Sequence, residues 1–125
     1  ALQGELCGPG IQKNRLGLSR VEFFVFNIYN AKESFFLDLR SMQTFIETVW
    51  LEGNILKTVP IEEILVCPEW PLDQWLVRAE GFYENTKNRK EGIVVRPVVE
   101  TISTVLKGRL SFKVISNSFL LKDEE

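Results

Sequence analysis

A chain of 125 residues suits one domain, and at 45% hydrophobic it can bury a core without disulfides or metals to staple it. Histidine is absent, which excludes Ser-His and Cys-His nucleophilic catalysis and histidine-ligated metals; any chemistry falls to Lys, Arg, Asp and Glu. The net charge of -2 hides a partition, because residues 21–85 carry four bases and eleven acids while residues 86–113 carry seven bases and two acids.

Cys7 and Cys67 stand at no motif spacing and read as packed thiols. No apolar run approaches the roughly 20 residues that span a bilayer, and no basic-then-apolar leader opens the chain, so a soluble cytoplasmic protein without membrane contact is expected.

In chain order, residues 1–6 alternate apolar and polar like a strand already in progress, Cys7-Gly8-Pro9-Gly10 is turn punctuation, and residues 11–18 are a polar loop. Residues 21–29, VEFFVFNIY, are the strongest strand, and residues 34–39 return as a second hairpin arm. The aromatics Phe23, Phe24, Phe26 and Phe35 read mainly as core. From Ser41, which can cap the turn, Met42, Phe45, Ile46, Val49 and Trp50 follow the helical period up to the stop at Gly53-Asn54. Residues 55–66 read as extended, residues 67–71 as a rigid turn, and residues 72–82 as a second helix with Leu72, Trp75, Leu76 and Ala79 on one face.

The basic run Lys87-Asn88-Arg89-Lys90 reads equally as a solvated loop and as a phosphate or RNA contact. It leads into Glu91-Gly92-Ile93-Val94-Val95-Arg96, a strand closed by Pro97. Residues 101–106 read as strand or short helix, and residues 110–115, LSFKVI, as the last strand. A charge inside a strand-forming run must face a ligand, a counter-ion or water. Side by side, the two strands would bring Glu91 and Lys113 to one surface, an acid able to hold a divalent cation beside a base able to hold a phosphate. Gly92 would let a ligand approach the backbone. Strands at both ends with helices between predict an α+β fold with mainly antiparallel sheets.

EGIVVR followed by LSFKVIS resembles the fourth and fifth motifs of the covalent nucleotidyltransferases, the ATP-dependent ligases and RNA capping enzymes. QGELCGPGIQKNRLGL resembles their third motif and the loop after it, FFVFNI the motif called IIIa, and the tail Ser116-Asn117-Ser118-Phe119-Leu120-Leu121-Lys122 narrows the likeness to the RNA ligases, particularly the Deinococcus-type branch. The resemblance implies a reaction in which a lysine attacks the α-phosphate of ATP to give lysyl-AMP, AMP passes to an RNA 5′-phosphate, and a 3′-hydroxyl displaces it to seal nicked or broken ends in RNA repair. It implies ATP and Mg2+ or Mn2+ as cofactors. Carried over, Glu5 holds the ribose, Phe26 stacks on adenine, Glu91 helps to hold the metal, and Lys113 contacts the α-phosphate. Many ligases have a second lysine where this chain has Ser111, and an aspartate where it has Asn27.

The nucleophile of these enzymes lies in a K-x-D-G motif, and none of the eight lysines sits in one. Residues 1–125 are therefore expected to be part of an adenylyltransferase domain from the third motif onward, inactive alone and completed by an N-terminal part of the same domain. The alternative is a non-catalytic module that binds nucleotide, RNA or protein on the ligase scaffold. In either case Glu5, Phe26, Glu91 and Lys113 are expected to converge on one site.

Overall fold

The computed structural model describes residues 1–49, 56–66 and 68–123. In chain order it contains β1 (Leu2–Cys7), β2 (Glu22–Asn30), β3 (Phe35–Phe36), α1 (Leu39–Thr48), β4 (Leu56–Thr58), α2 (Leu72–Ala79), β5 (Gly92–Val95), β6 (Ile102–Ser103), β7 (Gly108–Arg109), β8 (Phe112–Ile115) and α3 (Asn117–Asp123). This is the expected α+β arrangement with mainly antiparallel pairing. Trp50, the Gly53-Asn54 stop and Cys67 lie outside the described residues. The chain divides into two compact units, Ala1–Pro60 with Pro97–Leu110, and Ile61–Arg96 with Ser111–Glu125.

The first unit is built on β2. It pairs antiparallel with β1 and β3 and parallel with β4. Val25 and Ile28 of β2 join Met42 of α1 and Leu56 of β4 in the core, with Phe23, Leu37, Leu39, Ile46 and Val49 packed against it. Residues three apart on a regular strand point to opposite faces. Val25 and Ile28 share one because the strand carries an extra residue between them: Gln3 faces Asn27 and Gly4 faces Val25, which makes Phe26 the extra residue of a β-bulge. Phe35 is 49% exposed, outside the core where its aromatic character had placed it, because β3 is a two-residue strand with little to cover it.

Helix α1 begins earlier than its first apolar repeat suggests. Its cap is Asp38, whose carboxylate accepts from the Ser41 amide at 2.9 Å, so that Ser41 is the third helical residue and Leu39 becomes part of the core-facing side. Phe45 is 41% exposed, outside the core cluster. Within this unit, residues 101–106, read as strand or short helix, resolve to the two-residue strand β6 and a turn: β6 and β7 form a hairpin turned at Lys107, whose φ is 53°.

The second unit pairs β5 antiparallel with β8. Helix α2 lies against both strands, with Trp75 against Trp70 and Phe112 at ring-centroid distances of 4.8 and 6.3 Å. It stops at Ala79, short of Phe82, because Gly81 turns the backbone to a φ of 131° and residues 81–90 fold into a hairpin closed by Lys90 N–H to Gly81 C=O. The tail after β8 is helical, α3, with buried Ser116 at its start.

Candidate functional site

Four residues singled out by sequence divide between the units, Glu5 and Phe26 in the first and Glu91 and Lys113 in the second. In the first unit Glu5 is exposed on β1 opposite Phe24, one residue beyond the Gly4–Val25 pair that closes the bulge. A side chain at position 4 would place its Cβ 2.3 Å from the Phe24 carbonyl oxygen, so only glycine lets β1 run this close to β2. Phe26 is half-buried. Its neighbour Asn27 donates from Nδ2 to Gln3 Oε1 at 2.9 Å and accepts at Oδ1 from Arg109 Nη1 at 2.5 Å.

In the second unit the register sets Lys113 opposite Val94 and Gly92 opposite Ile115. Strict alternation would send Glu91 to the face away from Lys113. Gly92, at a φ of 153°, breaks that alternation, and Lys113 Nζ lies 3.8 Å from Glu91 Oε2. What approaches Gly92 is the neighbouring strand, since a Cβ there would lie 2.0 Å from the Val114 carbonyl oxygen; the close approach expected of a ligand is taken by β8. Glu91 is pinned through its backbone, its N–H donating to Tyr83 Oη at 3.4 Å and its carbonyl accepting from Ser116 N–H at 2.8 Å.

The Glu91 and Lys113 side chains are 43% and 53% exposed. A separation of 3.8 Å between half-exposed groups is a loose ion pair, worth under about 1 kcal/mol. Both charges thus remain able to face a ligand. Arg96 Nε donates to Ser111 Oγ at 2.9 Å, which brings a guanidinium to the residue two before Lys113. Of the basic run, Lys90 pairs with Glu62 at 3.1 Å and Arg89 lies 4.9 Å over the Phe82 ring, while Lys87 is exposed.

Among the described residues no three of His, Cys, Asp and Glu gather as a metal cage. A lone carboxylate such as Glu91 fits Mg2+ or Mn2+ in a nucleotide site, where the ion is held by one or two carboxylates together with substrate phosphates. Sequence reading missed Tyr83, Arg96 and Arg109. Arg96 was legible, since it alternates onto the Val94 and Lys113 face, but Arg109 meets Asn27 across 82 residues and leaves no local signal.

A family model for RNA ligase matches residues 1–115. The structure is also similar to that of Naegleria gruberi RNA ligase. With pyrophosphate that enzyme matches at a TM-score of 0.76 and 30% identity, over 98% of this chain and 34% of its own. A lysine-to-alanine variant with ATP and Mn gives 0.75 and 31% over 97% and 33%, and an apo aspartate-to-alanine variant 0.77 and 31% over 98% and 34%. The chain spans about a third of the length of the solved ligases it matches. No curated protein matches it. The α+β architecture is that of the ligase nucleotidyltransferase fold. Within that fold, the chain belongs to the RNA ligase family.

Proposed function

We propose that residues 1–125 form the part of an ATP-dependent RNA ligase that holds the nucleotide and neutralises its phosphates, the attacking lysine being supplied by an N-terminal part of the same domain. Glu5 accepts a hydrogen bond from the ribose and Phe26 stacks on adenine. Lys113 sits against the α-phosphate. As lysine nitrogen bonds to that phosphorus and pyrophosphate leaves, charge builds on the phosphate oxygens, and the Lys113 ammonium offsets it. Glu91 helps to hold Mg2+ or Mn2+, which supplies further neutralisation of phosphate charge. AMP then passes to the 5′-phosphate of an RNA end, and a 3′-hydroxyl displaces it. Assignment to the Deinococcus-type branch rests on the tail from Ser116 to Lys122, and RNA repair in the cytoplasm goes with the chemistry.

The observation that carries this reading is the Glu91 and Lys113 pair, two charges of opposite sign 3.8 Å apart, one just before β5 and one on β8, half open to solvent. A purely structural pair at the surface would gain little from that arrangement. In the full-length ligase that carries this chain, Glu91→Ala and Lys113→Ala are each expected to slow sealing about 100-fold to 1,000-fold, the usual effect of removing one preorganised charge from a transferring phosphoryl group. Wild-type sealing by Lys113→Ala would overturn the role of that residue. The second reading, a non-catalytic nucleotide-, RNA- or protein-binding module, is favoured by the lack of K-x-D-G around all eight lysines. A K-x-D-G encoded upstream of Ala1 decides for the enzyme.

A further inference from the structure

Arg109 makes more contacts than its place in a two-residue strand requires. Its guanidinium grips Glu100 with two parallel bonds, Nε to Oε1 at 2.7 Å and Nη2 to Oε2 at 2.9 Å, and lies 4.0 Å over the Phe36 ring. The pair is mostly shielded, with side chains 17% and 21% exposed, and a bidentate fork of this kind is the strong, direction-fixing form of the contact. The contacts with Glu100 and Phe36 fix the guanidinium in direction. A further one reaches β2: Nη1 donates to Asn27 Oδ1 at 2.5 Å, 82 residues away in sequence.

Asn27 adjoins Phe26, the extra residue of the β2 bulge, and faces Gln3, the last β1 residue before the register shifts. The amide of Asn27 is held at both ends, by Arg109 at its oxygen and by Gln3 at its nitrogen. A strand carrying an extra residue can lose it by slipping one position, and such a slip turns every side chain to the other face. Here the slip would break the bonds of Asn27 to Gln3 and Arg109 and pull it from a guanidinium that Glu100 and Phe36 fix in direction.

We propose that Arg109 is a positioning residue for nucleotide recognition: acting through Asn27, it locks the β2 bulge and so sets the direction of the Phe26 ring. The proposal rests on the reading of Phe26 as the adenine platform. Acting through Phe26, Arg109 affects the base and leaves the phosphates alone.

The test is equilibrium binding of ATP and of inorganic tripolyphosphate, each with Mn2+, to the full-length protein that carries this chain. Arg109→Gln and Asn27→Ala are each expected to weaken ATP binding about tenfold, within the range that a base stacked on an aromatic contributes, and to leave tripolyphosphate binding unchanged. Asn27→Ala keeps the Arg109–Glu100 pair and the contact with Phe36, so it reports on the link even if Arg109→Gln fails to fold. The double variant should bind ATP no more weakly than either single one, because both break one chain of contacts. Wild-type ATP affinity in folded Asn27→Ala, or parallel loss of tripolyphosphate binding, overturns the proposal. Phe26→Ala separates the two layers: if it leaves ATP affinity unchanged, the platform reading itself is wrong, whereas a loss confined to Phe26→Ala removes only the role of Arg109.

Discussion

Gly92 decides how the charged pair of the second unit is presented. A Cβ at this position would lie 2.0 Å from the Val114 carbonyl oxygen and 2.9 Å from the Ile115 Cα, backbone atoms that cannot move aside without parting β5 from β8. The φ of 153° adds a second penalty for any side chain. Overpacking and a forced backbone each cost on the order of 1 to 3 kcal/mol, so Gly92→Ala is expected to lose about 3 kcal/mol or more of stability. Chemical denaturation measures this directly, and a variant as stable as the wild type would show that the strands are not this close. At the same scale, Glu91 and Lys113 were legible in the sequence because a charge in an apolar β run stands out. The turn that brings them together was not, since alternation alone sends them to opposite faces and only the backbone at Gly92 reverses it.

Among elements, α3 depends on a carboxylate at the end of another helix. Ser116 is 1% exposed; its hydroxyl accepts from Phe119 N–H at 3.1 Å and donates to Glu80 Oε2 at 2.8 Å, while Glu80 Oε1 accepts from Ser118 N–H at 3.3 Å. Glu80 directly follows α2, so one acid fixes the junction of two helices and places negative charge at the positive end of α3. The Ser116 hydroxyl, and after it the Ser118 hydroxyl and the backbone N–H groups of Ser118 and Asn117, hold the Glu80 carboxyl below its ordinary value of 4.5 despite the opposing effect of burial. A carboxyl lowered on folding stabilises fully above that ordinary value and loses its contribution as pH falls through the folded value. Thermal melts between neutral pH and acid should therefore show Glu80→Gln less stable than the wild type at pH 7 and the two converging in acid. Equal acid sensitivity in both proteins would remove Glu80 from this role. The element pattern shows why some boundaries were readable and others were not. The core residues Met42 and Ile46 gave α1 its period, but its start belonged to Asp38, a cap three residues ahead of the serine that looked equally suitable. The bulge in β2 falls in FFVFNI, where no glycine marks it, and it exists only in the pairing with β1.

For the whole molecule, the division into two units parallels a division of chemistry. The first unit carries the groups assigned to the nucleoside, Glu5 and Phe26 with Asn27 and Arg109 behind them, and the second carries Glu91 and Lys113 for the phosphates. Among the described residues no helix is long and apolar enough to cross a membrane. The family could be read from the order of four motifs. The assembly of each unit from two separated stretches could not, because it rests on contacts between residues far apart in sequence. Every functional group assigned here positions or neutralises; none attacks phosphorus. Nucleotidyl transfer needs a nucleophile as well as preorganised charge. The most direct measurement is incubation of the 125-residue chain with α-labelled ATP and Mg2+ or Mn2+, followed by denaturing electrophoresis and mass spectrometry of the product. No labelled band is predicted, and a covalent AMP adduct on any of the eight lysines would contradict the account.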